Sequence, residues 1–128
     1  MVIVDTSVWL QFLKSGEAAV RSEMNLLRAQ DEIAMVGVVM AELLQGARSQ
    51  AELEQLSGWL TALPYVAETQ ETWLRVGSLS FQLSRRGIAV PMPDLLIAAL
   101  AVQHGHDLYT LDEHFQRMPG LKRYQPGE

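Results

Sequence analysis

A chain of 128 residues is one domain's worth of sequence, long enough to bury a single core without disulfides or structural metals. A hydrophobic share of 48% beside 20% charged residues excludes a disordered chain, and no apolar run approaches the roughly 18 to 20 residues of a membrane span. The net charge of -5, from 10 basic and 15 acidic side chains, argues against loose nucleic-acid binding by counterion release but leaves room for a phosphate substrate held through a metal ion.

The first nine residues, MVIVDTSVW, run three apolar residues into Asp5, then into two hydroxyls and an amphipathic segment. A strand apolar on both faces belongs in the middle of a parallel sheet covered by helices on both sides. Its closing acid then lies at the carboxyl edge, where ligands bind in open α/β sheets. Val8, Trp9, Phe12 and Leu13 follow at helical spacing, with Thr6 or Ser7 as the expected cap and Gly16 as the stop. Residues 17–30 form a second amphipathic helix, with Val20, Met24 and Leu27 on its apolar stripe and Arg21, Glu23 and Arg28 off it.

After the turn at Asp31 and Glu32, residues 33–36 read as a second buried strand, and Gly37 opens a helix over 38–47 that carries Glu42. A further helix over 50–63 is closed by Pro64, a short strand is expected at 65–67, and a long helix covers 69–86 up to Gly87. Pro91 and Pro93 force an extended entry to Asp94, after which 95–102 is apolar all round and must be a buried helix. Residues 107–110 read as a strand, 112–117 as a turn or two of helix, 121–124 as a last strand, and 125–128 as a frayed tail. Strands alternating with helices predict a three-layer α/β/α sandwich, a single domain spanning 1–128 with right-handed crossovers around a mostly parallel sheet. The chain has no cysteine and carries Asp5 where a cleavable leader would be most apolar, so a reducing, cytoplasmic setting is expected.

Four acids fall at element edges or inside apolar runs. Asp5 and Asp112 follow strands, while Glu42 and Asp94 lie in or at the start of helices that follow strand-like segments. Each has a plain alternative: a helix cap for Asp5, Asp94 and Asp112, a surface glutamate for Glu42. Converging in one crevice they would repel, by about 4 kcal/mol for two charges about 4 Å apart at an effective dielectric near 20, so the cluster calls for protons or cations. Oxygen donors without cysteine select Mg²⁺ or Mn²⁺ over zinc. Such ions in an acidic crevice bind substrate phosphates, and the chemistry that follows is metal-assisted phosphodiester hydrolysis.

The segments IVDTS with Asp5, AELLQGA with Glu42, PDLLIAA with Asp94 and YTLDEHF with Thr110, Asp112 and Phe115 occur in this order along the chain. In them the chain resembles the PIN-domain ribonucleases, specifically the VapC-like toxins of toxin-antitoxin pairs. The resemblance implies a PIN-like fold and Mg²⁺- or Mn²⁺-dependent endonucleolytic cleavage of RNA, with Asp5, Glu42, Asp94 and Asp112 as catalytic metal ligands. It also implies a VapB-like antitoxin as partner, seated over the early helices with Trp9 and Phe12 as contacts, and a homodimer. One departure stands out: many relatives carry a second acid two positions after the fourth, and here that position is His114.

Thr6, Ser7 and Thr110 are supporting candidates, able to hydrogen-bond a bound water or Asp5 as well as to cap helices. Arg48, Arg85, Arg86, Arg117, Lys122 and Arg123 are candidates for RNA phosphates, against the ordinary role of solvated surface. Trp9, Phe12, Trp59 and Trp73 lie on apolar stripes and are expected in the core. His104, His106 and His114 show no ligand spacing and are assigned no metal. Two other readings remain: a PIN-like module that binds without cleaving, and a receiver-type phosphoacceptor domain. The second fits poorly, because Lys14 and Lys122 are the only lysines and no paired acid adjoins Asp5.

Overall fold

The structure, a computed structural model, describes residues 1–14 and 16–127. The elements in chain order are β1 (Val2–Val4), α1 (Thr6–Leu13), α2 (Ala18–Ala29), β2 (Ile33–Val36), α3 (Gly37–Gln45), α4 (Gln50–Thr61), β3 (Tyr65–Val66), α5 (Gln70–Ser84), α6 (Met92–His104) and β4 (Asp107–Tyr109), followed by a short 3-10 helix at Glu113–Arg117. The strands form one sheet in the order β3-β2-β1-β4, every pair parallel.

β1 lies inside the sheet because its three residues are apolar on both faces and all buried, and β2 is buried throughout for the same reason. Val2 and Ile3 pair with Ile33 and Ala34 on one side and with Asp107 and Leu108 on the other. This register brings the ends of β1, β2 and β4 to a common carboxyl edge, from which Asp5, α3 and Thr110 depart. The helices complete an α/β/α arrangement, with α1 against α2 and α3, and α5 against α6.

α6 explains its own composition. Leu95 through Ala101 are buried without interruption, so the helix has no solvent face over two turns and is packed by α5, α3 and β4. It ends on Gly105 in the left-handed conformation (φ 68°), a C-terminal stop that glycine adopts without steric cost. Fully burying each large aliphatic side chain here contributes about 1.5 to 3 kcal/mol, so the run anchors Asp94 at its start to the most constrained helix of the fold.

Several expectations are corrected. The segment 121–124 makes a single parallel bridge, Leu108 to Arg123, and no full strand. The tail is tied down as far as Gly127, whose N–H donates to Glu23 Oε1 at 3.2 Å, while Glu128 lies outside the described residues. Glu23, placed off the apolar stripe of α2, is buried, because the Tyr124 hydroxyl and the Gly127 N–H supply donors to its carboxylate. Trp59 and Trp73 are 59% and 48% exposed and belong to no core. Each sits one residue off its helix's buried row, Leu56 and Leu60 in α4 or Thr72 and Val76 in α5, and one residue is about 100° of turn. Trp9 is buried and Phe12 half-buried, as expected.

Candidate active site

Asp5 is the hub of the carboxyl edge. It is itself the N-cap of α1: Oδ1 accepts the Thr6 N–H at 2.8 Å, a position expected of Thr6 or Ser7. Those hydroxyls are used elsewhere. Ser7 Oγ donates to Asp5 Oδ2 at 2.8 Å and accepts the Leu111 N–H at 3.1 Å, while Thr6 Oγ1 donates to Glu42 Oε1 at 2.8 Å. The Asp5 N–H donates to the Tyr109 carbonyl at 2.9 Å, so the ends of β1 and β4 are fixed to each other at the site.

Thr110, buried at the end of β4, donates to Asp5 Oδ2 at 2.8 Å and accepts the Asp112 N–H at 3.0 Å. Asp112 Oδ1 then accepts the His114 N–H at 2.9 Å, so Asp112 caps the 3-10 turn as well as facing the crevice. Asp94 stands on the third residue of α6, which begins at Met92 without a side-chain cap, so the capping alternative for Asp94 does not hold. Burial raises the Asp94 pKa above its ordinary value; the charges of Asp5 and Asp112 add to this, His114 opposes it, and Glu42 adds again. The four sequence-predicted acids thus share one electrostatic neighbourhood.

Asp94, Asp112 and His114 each offer a ligand atom, and these atoms lie within 4.8 Å of one another. His114, assigned no metal from the sequence because the three histidines share no predictable face, is brought beside Asp112 by the tight turn. The donor set fits a hard divalent cation: mutually repelling carboxylates with oxygen donors, most of them held in place by neighbouring hydroxyls and N–H groups. His104 and His106 stack on each other with centroids 6.1 Å apart, where β4 begins, away from the crevice.

Among the basic candidates, Arg117 shares with His114 a cleft of about 390 Å³ between the 3-10 turn and residues 87–90. Arg85 lies over the Phe81 ring at 5.5 Å, and Lys122 and Arg123 run beside β4. Arg48 lines a different cleft, with Leu10, Lys14 and Glu52. On the early helices a larger apolar groove of about 540 Å³ is lined by Trp9, Phe12, Leu56, Trp59, Leu60 and Leu63 among others.

A parallel four-stranded sheet with clustered acids at the carboxyl ends of β1 and β4 and at the start of α6 defines a class of small α/β domains. The chain matches the PIN domain family model over residues 2–121 and belongs to that family. It is 32% identical over 113 residues to Ribonuclease VapC21 of Mycobacterium tuberculosis, covering 86% of this chain and 81% of that protein. Against Ribonuclease VapC19 of the same organism it is 32% identical over 125 residues, covering 95% and 98%. The fold is shared with the crystal structure of VapBC2 from Rickettsia felis bound to a DNA fragment from their promoter, with TM-score 0.82, 22% identity and 97% and 98% of the two chains covered. It is shared also with DNA-bound VapBC from Salmonella typhimurium, with TM-score 0.81, 23% identity and 96% of each chain covered.

Proposed function

We propose that this chain is a single-domain endoribonuclease, dependent on Mg²⁺ or Mn²⁺, that acts as the toxin of a VapC-like toxin-antitoxin pair. The observation that carries the reading is Asp94, whose carboxyl feels the charges of Asp5, Asp112 and Glu42 on a backbone that four separate elements bring to one edge. Relatives named as VapC ribonucleases, matched over most of their length, support the substrate class.

Asp5, Glu42, Asp94 and Asp112 would hold the cation, which when bound supplies Lewis acidity for water activation and for the leaving oxygen. The chain's own part is positioning. Thr6 N–H, Ser7 and Thr110 fix both oxygens of Asp5, Thr110 fixes the start of the Asp112 turn, and Thr6 aims Glu42. Because these bonds are formed before substrate arrives, little reorganisation remains for the reaction itself. Arg117, beside His114, is the basic residue best placed for an RNA phosphate.

The apolar groove of Trp9, Phe12 and Trp59 is the seat for an antitoxin segment, since it presents aromatic surface between α1 and α4. The exposed Trp73, Leu74 and Phe81 of α5 offer apolar surface for a homodimer. Among the described residues no helix is long and apolar enough to cross a membrane.

The test is RNA cleavage by the purified chain with Mg²⁺, with chelator, and with Asp5→Asn or Asp94→Asn. Cleavage is expected only in the first case; undiminished Mg²⁺-dependent cleavage by both variants overturns the assignment. Chelator-insensitive RNA binding without cleavage would instead favour a non-catalytic PIN-like module.

A further inference from the structure

One side chain in the acidic crevice is not accounted for by carboxylate chemistry. His114 Nδ1 stands 3.3 Å from Asp112 Oδ1, and the His114 backbone N–H donates to the same oxygen at 2.9 Å, so the turn holds the two side chains together. The imidazole is 67% exposed, so core packing does not put it there. Asp94 on α6 completes the group, with ligand atoms of all three residues within 4.8 Å. Donors sharing an octahedral cation at about 2.1 Å stand roughly 3 to 4.2 Å apart, and small side-chain rotations close that gap.

We infer that His114 is a nitrogen ligand of the crevice cation and that it biases the site toward first-row transition ions, Mn²⁺ and Co²⁺, over Mg²⁺. This rests on the metal-dependent reading of the same crevice. Mg²⁺ takes oxygen ligands and keeps its waters, gaining little from an imidazole, whereas transition ions gain affinity from nitrogen donors in the order Mn²⁺ below Co²⁺. A carboxylate at position 114 would make an all-oxygen set that favours Mg²⁺. The imidazole also adds no negative charge to a crevice already crowded with it, so selectivity shifts without increasing repulsion around Asp94.

The experiment uses the full chain uniformly labelled with ¹⁵N, titrated with substoichiometric MnCl₂. The His114 ring resonances should broaden before those of His104 and His106. In parallel, Mn²⁺ and Co²⁺ are competed against Mg²⁺ on wild type, His114→Asp and His114→Ala, with far-UV circular dichroism verifying that the variants fold. His114→Asp should lower the Co²⁺-over-Mg²⁺ affinity ratio about tenfold and the Mn²⁺ ratio by less. An unchanged ratio, or broadening that spares His114 while the Leu95 and Glu113 amides respond, overturns the inference and leaves the metal site standing. If no resonance responds to Mn²⁺ and no ion binds, the metal-dependent reading falls together with it.

Discussion

Thr110 Oγ1 donates to Asp5 Oδ2 at 2.8 Å across 105 positions of sequence, and Thr110 Oγ1 itself accepts the Asp112 N–H at 3.0 Å. One buried hydroxyl therefore sets two of the four acids relative to each other. Thr110→Val keeps the shape and leaves both the Asp112 N–H and one Asp5 contact unmet. The expected result is a stability loss of about 1 to 3 kcal/mol in urea unfolding. A fall in kcat on the order of tenfold to hundredfold, with Thr110→Ser close to wild type, would show that the hydroxyl positions the acids.

Asp94 yields a prediction with a definite sign. Its carboxyl is raised above the ordinary 3.8 by burial and by Asp5 and Asp112, so the folded chain binds that proton more tightly than the unfolded one. Stability from this group is full below 3.8 and is lost as pH rises through the raised value. In chelator at pH 7, Asp94→Asn should therefore melt at or above wild type, and added Mg²⁺ or Mn²⁺ should raise the wild-type melting temperature more than the variant's. Calorimetry with and without chelator checks it; a lower Tm for the variant in chelator would contradict the like-charge crowding.

The tail is secured by a second polar contact. Tyr124 donates its hydroxyl to buried Glu23 at 2.5 Å, and its pKa is pushed up to about 12, by burial first and then by that bond and the Glu23 charge. Between the ordinary 10.0 and about 12 the unfolded chain loses this proton while the folded chain keeps it, so stability falls as pH rises through that window. Tyr124→Phe should remove this alkaline component and lower stability near neutrality by about 1 to 2 kcal/mol. Equilibrium unfolding between pH 7 and 12 tests both, and hydrogen exchange at Gly127 should quicken.

Trp59 sits on the apolar groove, exposed and outside the core. Trp59→Ala should leave the Tm of the isolated chain nearly unchanged while weakening capture by a cognate antitoxin at least about tenfold, as loss of a central aromatic anchor does. Titration calorimetry with the antitoxin's isolated binding segment reads this directly; equal affinity would move the seat elsewhere.

The local chemistry of the chain determined a great deal. Apolar runs on both faces made β1 and β2 central, the uninterrupted 95–102 run made α6 buried, and each of the acids Asp5, Glu42, Asp94 and Asp112 was visible as an interruption of an apolar or element-edge pattern. Those signals are short-range, written in periods of two and of 3.6 residues. What periodicity cannot carry is partner choice between distant residues. The bond from Thr110 to Asp5 and the burial of Glu23 under Tyr124 come from the parallel register that sets β4 beside β1 and folds the tail back. The turn that carries His114 to Asp112, and the outward set of Trp59 and Trp73, were decided by the packing of whole elements. A polar side chain is buried, or an aromatic exposed, according to what stands opposite it, and only the tertiary structure says what that is.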